Sequence, residues 1–397
     1  MSARTMVCTG LDGGDPLTTL ASLGLLAIGD QADCIERMWW DWFGAWRPVY
    51  ETTVSEDELV ECVLEFLVGG QAASARANLE AIEGKLRSLD AELGRTKAAV
   101  ESASDRATKA AARAAHSEVI ARQRELKARR VEQSRLVEVQ CSAGVAQRHP
   151  VTAAALHLDD ILKGGLSRQT FATIACGPSP APYLSGLACD LHLGRKKTTI
   201  ARTHLSFANN NSGKQLLKDF AALARLATAD RMRDALFGNG TRRDPITGLG
   251  WDPSSQRSYA LQFRDPQLDV SCQTMHHALA FIGLASLPVV PIGADRATVG
   301  VYGLPSGNTA IGMEGENDER EATPPTRASR MFEYLTWPLW SPPLSPDAVR
   351  GLLAWKELAE PSPSTDVCRA MGIVAVMRSR RFSLNKRSYL SPARPVA

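Results

Sequence analysis

The sequence is organised around TTIARTHLSF (residues 198–207), a β-rich run that leads into the polar loop Asn209–Gly213 and then a helix-like run from Lys214 to Ala229. In the first turn of a helix the backbone N–H groups have no partner within the helix, and the helix dipole favours negative charge. A loop of amides and small residues in front of such a helix is suited to hold an anion. We expect that anion to be a nucleic-acid phosphate, bound without any bond being broken.

Composition places the chain among globular proteins. Its 397 residues suffice for two or three domains with real cores, and the hydrophobic content of 44% excludes wholesale disorder. The formal net charge is only +3, from 46 Lys and Arg against 43 Asp and Glu. A nucleic-acid partner would therefore have to be bound through local basic clusters rather than through the field of the whole chain.

The eight cysteines are scattered without any Cys-x-x-Cys spacing, so neither a metal site nor a disulfide framework is expected. We expect reduced thiols in a cytoplasmic protein that needs no cofactor. The sequence contains no run of about 18 apolar residues and no leader-like start, so we expect neither a membrane span nor a signal peptide.

The pattern predicts an α+β fold, with a mixed-sheet body, an inserted antiparallel coiled-coil hairpin and a small helical C-terminal region. Helices are expected in the last of these over Asp347 to Leu358 and Thr365 to Met377. The predicted segments are an N-terminal α/β module (1–70), a coiled-coil helical hairpin (71–140), a central α+β body (141–345) and a C-terminal helical region with a basic tail (346–397).

Two helices are predicted in the N-terminal module. Asp15-Pro16 is typical of a helix start, and Ser55 with Glu58 forms a capping box. Between the two helices lies an aromatic cluster that could close a small core or offer a platform on which bases stack. We favour the core. The cluster consists of Trp39, Trp40, Trp42, Phe43 and Trp46.

The hairpin is predicted from apolar residues spaced three and four apart, a coiled-coil seam. They are Leu79, Ile82, Leu86, Leu89 and Leu93. The second half of the hairpin is basic, with Arg122, Arg124, Lys127, Arg129, Arg130 and Arg135 against Glu125 and Glu132. Two interpretations stay open: a solvated helix face, or a basic arm lying along a phosphate backbone.

The sequence contains no complete match to the catalytic motifs considered. Ser212-Gly213-Lys214 resembles part of a phosphate loop, but Ala208 and Gln215 stand where that motif requires Gly and Ser or Thr. His276 and His277 begin an apolar run and are expected in the core, because no acidic residue stands beside them at metal-ligand spacing. With no catalytic set and no metal ligands in the pattern, we expect a binding protein rather than an enzyme.

Several motifs taken in order resemble the large subunits of type I CRISPR effector (Cascade) complexes, with subtype G, formerly subtype U, as the nearest likeness. Alone each motif is weak, and their shared order is more specific. They are DPL (15–17) with LASLGLL (20–26), the hairpin Trp42–Pro48, THLSF (203–207) with its loop, GWDP (250–253) with YAL (259–261) and DP (265–266), the run Leu284–Pro291, and MGIVAV (371–376) with the arginines that follow it.

The resemblance implies a non-catalytic subunit that touches the 5′ end of a crRNA and reads a short PAM in target double-stranded DNA. It also implies grip on the displaced strand, contact with backbone and other Cascade subunits, and recruitment of a separate helicase–nuclease. The residues implied to contact nucleic acid are Arg202, Asn209, Asn210, Asn211, Ser212, Lys214, Gln215, Arg242, Arg243, Arg378, Arg380 and Arg381. Two other functions remain open, a coiled-coil assembly scaffold without nucleic-acid contact and a metal-dependent nuclease.

Overall fold

The computed structural model describes residues 3–149, 183–193, 200–207, 214–239, 243–244, 248–253, 272–292, 295–305, 331–384 and 387–397. The chain divides into two compact units. One, here called the body, comprises Met1–Val63 and His149–Ala397, and the other, here called the arm, comprises Leu64–Arg148.

Helices and antiparallel strands together confirm the predicted α+β class. The helices are α1 (Pro16–Gln31), α2 (Glu56–Val68), α3 (Gly70–Ser102), α4 (Arg106–Arg148), α5 (Leu184–Leu187), α6 (Lys214–Arg225), α7 (Ala229–Phe237), α8 (Thr274–Gly283), α9 (Pro346–Leu353) and α10 (Thr365–Ala370). The strands are β1 (Arg4–Val7), β2 (Ile35–Trp42), β3 (Trp46–Thr52), β4 (Ala188–Leu193), β5 (Ile200–Arg202), β6 (Val289–Ile292), β7 (Asp295–Thr298), β8 (Val301–Pro305), β9 (Met331–Trp340), β10 (Ile373–Leu384), β11 (Arg387–Leu390) and β12 (Arg394–Pro395).

The sheets of the body are small. β1, β3 and β2 form one three-stranded sheet, and β11, β10, β9 and β8 form another with β12 added beside β10. β4 pairs with β5, and β6 with β7. Every strand pair among the described residues is antiparallel, where mixed pairing was expected.

Both predicted helix starts of the N-terminal module are confirmed. Asp15 is the N-cap of α1, where its carboxylate accepts a hydrogen bond from the backbone N–H of Thr18, and Pro16 lies in the first turn. At α2, Glu58 accepts from the backbone N–H of Ser55 at 2.8 Å, and the Ser55 hydroxyl accepts in return from the N–H of Glu58 at 3.4 Å. This reciprocal pair is the capping box.

The core of the body is built on α1 and α8, two helices that are buried on nearly every side. Glycines allow their backbones to approach each other. A Cβ added at Gly24 would overlap the carbonyl oxygen of Leu279, and one at Gly283 would overlap that of Leu20. Phe281 of α8 stacks on Phe220 of α6, with ring centroids 4.0 Å apart. Small residues at the crossing thus bring large apolar side chains into one core.

The C-terminal segment differs from its prediction. The expected helix from Thr365 to Met377 was wrong beyond Ala370, because Gly372 takes a positive φ of 74° and the chain then continues as β10. The sequence after this glycine is rich in β-branched residues, which favour a strand. β10 pairs along β9, so the expected basic tail is instead a strand in the middle of a sheet.

The arm is the predicted antiparallel helical hairpin, with a tighter turn than expected. α3 ends at Ser102 and α4 begins at Arg106. Between Gly94 and His116 the apolar residues of the seam are replaced by alanine, and this stretch is nevertheless helical on both sides of the short turn. Asp105 caps α4, accepting from the backbone N–H groups of Ala107 and Thr108. Leu86 and Leu89 of the predicted seam are buried. In the part of the chain that the structure describes, no helix combines the length and the apolar character needed to cross a membrane.

Candidate nucleic-acid interface

The central loop itself lies outside the described residues, which leaves Asn209, Asn210, Asn211 and Ser212 without a structural account. The helix expected after it does begin at Lys214, with Gln215 in its first turn. It ends at Arg225 rather than Ala229, because Thr228 caps the next helix, α7, by accepting from the N–H of Arg231. Of the expected β-rich run, β5 covers Ile200–Arg202, so Arg202 is placed in a strand. Arg242 also lies outside the described residues.

The segment in front of the loop, Thr203–Phe207, is held by polar contacts from distant parts of the chain. The hydroxyl of Thr298 lies 3.1 Å from the backbone nitrogen of His204 and 3.0 Å from its Nδ1. Trp251, which is fully buried, donates from its indole nitrogen to the carbonyl oxygen of Leu205 at 3.0 Å. These contacts fix the backbone that leads into the loop.

Arg381 of β10 joins this segment. Its guanidinium carbon lies 5.2 Å from the centre of the Phe207 ring, and it donates to the carbonyl oxygen of His204 at 3.5 Å. Arg381 also pairs with Glu333 of β9. The side chain is 30% exposed, so it retains access to solvent. Arg381 is thus a predicted contact residue that the structure brings to Phe207, the last described residue before the loop.

The other two arginines of the same cluster lie two residues apart on β10 and so share one face of the strand, but they differ in burial. Arg380 is exposed, whereas only 3% of the Arg378 surface is accessible. The guanidinium of Arg378 donates to the carbonyl oxygens of Glu360 and Pro361 at 2.7 Å each and of Leu358 at 3.3 Å. Burial lowers the pKa of Arg378. Its interpretation as a backbone grip is therefore corrected, because its donors close a turn of the body instead of facing a phosphate.

Arg243 is paired within the protein. Its guanidinium lies 3.2 Å from the carboxylate of Asp252, whose side chain is only 5% exposed. A buried carboxylate needs such a partner, so this contact holds Arg243 in a structural role. Burial raises the pKa of Asp15, and the charge of Asp252 adds to this effect.

The paired histidines are core residues, as expected. His276 and His277 are each 1% exposed on α8. The Nε2 of His276 donates to the carbonyl oxygen of Ala235 at 2.8 Å. Burial lowers the pKa of both rings, that of His277 to about 4, so both are neutral near pH 7. Among the described residues no three His, Cys, Asp or Glu side chains are grouped so that they could hold a metal ion.

The aromatic cluster divides between core and surface. Trp40 is 1% exposed, as the core interpretation requires, but Trp42 is 59% and Phe43 is 54% exposed. Gly44, with a φ of 78° and no atom near its Cβ position, makes the turn between β2 and β3. The position of this glycine in the sequence could have placed Trp42 and Phe43 at a hairpin tip, beyond the reach of the core.

No family model matches the chain, and no curated protein matches it.

Proposed function

We propose that this protein is a non-catalytic large subunit of a crRNA-guided DNA-binding complex of the type I CRISPR class, acting in the cytoplasm. In this role it binds crRNA and target double-stranded DNA, reads a short PAM, grips the DNA backbone and the displaced strand, and contacts the other Cascade subunits. A separate helicase–nuclease is recruited to cut the DNA. The contact surface consists of the central loop, the start of α6 and Arg381.

The proposal is supported by one convergence in the body. Arg381 packs on Phe207 and donates to His204, although these residues lie more than 170 positions apart in the chain. Phe207 lies two residues before Asn209, where the amide-rich loop begins, and α6 begins immediately after the loop at Lys214. A partly exposed guanidinium and the start of a helix thus flank the same loop in the sequence. Both favour a phosphate.

The test is assembly of the complete complex. Co-expression with the neighbouring genes of its operon is expected to yield one particle that contains a short RNA and binds target duplex. Replacing Asn209, Asn210, Asn211 and Lys214 together by alanine is expected to weaken that binding at least about tenfold. Arg369→Gln is the control, because Arg369 is exposed and pairs only across one turn of α10 with Asp366 in the described structure. A particle without RNA, or unchanged affinity in the fourfold variant, contradicts the proposal.

A second function, assembly scaffold, is favoured by a different observation. Near its C-terminal end α4 leaves Leu136 43% and Val139 66% exposed, and such side chains are typical of protein contacts. A scaffold predicts that the purified chain self-associates through the arm and elutes free of nucleic acid. Sedimentation of the chain with and without duplex distinguishes the two functions.

A further inference from the structure

The charges of α4 are sorted onto two flanks. In an antiparallel coiled coil the residues of one helix that are seven apart share a face. Glu118, Glu125 and Glu132 are seven apart and form an acidic column on one flank. A basic row lies on another part of the helix surface. Its members Arg106, Arg113 and Lys127 are separated by multiples of seven. Arg124 lies one turn before Lys127, and Arg135 lies about two turns after it. We call these five residues the basic edge. All five are exposed.

Ion pairing separates the basic edge from the remaining arginines of the helix. Arg122 pairs with Glu92 at 3.5 Å, Arg129 with Glu125 at 2.7 Å and Arg130 with Glu83 at 3.7 Å. Within the described residues, by contrast, none of the five side chains of the basic edge forms an ion pair. Two carboxylates of α3, Glu83 and Asp90, are engaged by Arg130 and Gln123 of α4.

The surface between these cations allows close approach. Ala107, Ala114, Ala121 and Ala128 are exposed and seven apart, so a column of methyl groups runs beside the basic edge. Glu118, Glu125 and Glu132 border the alanine column on its other side, because each lies three or four residues from one of these alanines. The alanines therefore stand between the acidic column and the cations Arg106, Arg113, Arg124 and Lys127, and Arg135 is the one member of the basic edge that lies three residues from a glutamate. At 1.5 Å per residue the edge is about 43 Å long.

The geometry points to the basic edge of α4 as a binding surface for the phosphate backbone of double-stranded nucleic acid. Unpaired arginines and lysine release condensed counterions when they neutralise phosphates, which is the main source of non-specific affinity for a duplex. An edge of about 43 Å exceeds one helical turn of B-DNA, about 34 Å, so it is long enough to meet phosphates along more than one turn of a duplex. The inference stands on the arm alone and holds whether or not the body belongs to a crRNA-guided complex.

An anionic membrane is the other polyanion to consider, and the arm does not suit it. A helix that lies in a lipid surface needs a continuous apolar face next to its basic one. The face of the basic edge offers alanine and serine, with Val131 as its one large side chain that is mostly exposed, at 55%. A nucleic-acid backbone requires charge and close approach, and both are present.

The experiment compares two double variants of the full chain that remove the same charge from the same helix. Arg124→Gln with Lys127→Gln alters the basic edge, and Arg122→Gln with Arg129→Gln alters the ion-paired flank. Binding of a labelled 30-base-pair duplex by the purified chain, without crRNA, is measured by fluorescence anisotropy at several salt concentrations. The basic-edge variant is expected to bind about tenfold more weakly at low salt. Its slope of log affinity against log salt is expected to be shallower by about two, at roughly one unit per lost phosphate contact.

The paired-flank variant is expected to keep the affinity and the slope of the unaltered chain. Equal losses in both variants, or no loss in either, overturn the proposal, as does selective loss of binding to vesicles of phosphatidylserine with duplex binding retained. Circular dichroism checks that helicity is preserved. If the basic-edge variant loses helicity, it is replaced by the exchange Arg124→Lys with Lys127→Arg, which keeps both charges. Retained duplex binding with an unchanged salt slope supports the proposal. Lost binding in a chain that is still folded overturns it. Since crRNA is absent, failure here leaves the test of the proposed function unaffected.

Discussion

Asp15 caps α1 with its carboxyl group, although burial opposes the charged form of that group. As N-cap of α1 its carboxylate accepts hydrogen bonds from the backbone N–H and the hydroxyl of Thr18, each at 3.0 Å. Burial, together with the charges of Asp252 and Asp12, nevertheless raises its pKa to about 7 against the lowering by Thr18. Because an uncharged carboxamide caps a helix about as well as a carboxylate, the charge itself is not needed there.

Asp15→Asn is therefore expected to stabilise the protein above pH 7. The folded pKa lies above the ordinary value of 3.8, so between about pH 4 and pH 7 the folded state holds a proton that the unfolded state has released. Stability from this group is complete below pH 4 and is lost as the pH rises to 7. Relative to the unaltered chain, the variant should gain roughly 1 to 3 kcal/mol between pH 4 and pH 8 in urea denaturation.

Asp105→Asn in the arm is the control of opposite sign. Hydrogen bonds from the side chain and backbone of Thr108 lower the pKa of Asp105, so its charged form stabilises the cap of α4. That contribution is lost as the pH falls. A gain in Asp15→Asn that does not depend on pH would show that the carboxyl group is not the cause.

Packing between elements depends on two glycines at the crossing of α1 and α8. Gly24→Ala is expected to destabilise the body by about 2 to 3 kcal/mol, because its methyl group would meet the carbonyl oxygen of Leu279, a backbone atom that cannot rotate away. The measurement is the midpoint of denaturation followed by tryptophan fluorescence.

Gly351→Ala is the matched control within the body. No atom lies near its Cβ position on α9, so alanine should stabilise that helix by about 0.5 to 1 kcal/mol. If Gly24→Ala also proves neutral or stabilising, α1 and α8 do not cross with the backbone of Leu279 against Gly24.

Helix boundaries that depend only on neighbouring residues could be predicted from the sequence. The caps at Asp15 and Ser55 require only side chains within three residues, and the start of α6 at Lys214 requires only the change from a polar loop to helical spacing. The apolar seam of the arm could be predicted for the same reason, because its spacing is a local pattern. β10 was not, because a short apolar run such as IVAV (373–376) suits a helix or a strand until its partner is known. That partner, β9, ends more than 30 residues earlier.

For the candidate site, too, the sequence predicts which residues are basic but not which of them are buried. Sequence could nominate Arg378, Arg380 and Arg381 together as basic residues, but only tertiary structure separates them. The alternation of β10 places Arg381 on the opposite face from Arg378 and Arg380 and brings it to Phe207. Arg378 is buried by the carbonyl groups of the turn at Leu358–Pro361, whereas Arg380 on the same face stays exposed. Burial of Arg378 depends on carbonyl groups whose position no local pattern reveals.

At the scale of the whole molecule, positive charge is concentrated in one helix. α4 carries ten Lys and Arg against four Glu, whereas the complete chain has an excess of only three positive charges. The rest of the chain is therefore slightly acidic, and long-range attraction of a polyanion acts mainly through the arm. This attraction is screened over about 8 Å at physiological ionic strength, so duplex binding by the full chain should depend steeply on salt.

The arm and the body are also expected to differ in local stability. The seam of α4 places polar groups against α3: His116 Nδ1 lies 3.0 Å from the hydroxyl of Thr96, Gln133 donates to the carbonyl oxygen of Ala75 at 3.0 Å, and Arg130 pairs with Glu83. Such pairs fix the register of a coiled coil at a cost in stability. α8, in contrast, has all ten residues buried.

Hydrogen exchange followed by mass spectrometry should therefore give two populations of amides. Peptides from α4 are expected to exchange through local opening about 100-fold or more faster than peptides from α1 and α8, which open only with the body. Replacing Gln123 and Arg130 together by leucine removes polar seam positions and should slow exchange in the arm while leaving α8 unchanged. Equal protection of α4 and α8 in the unaltered chain would contradict independent opening of the two units. Faster exchange of the arm in the leucine variant would instead mean that the polar pairs stabilise the hairpin more than apolar packing does.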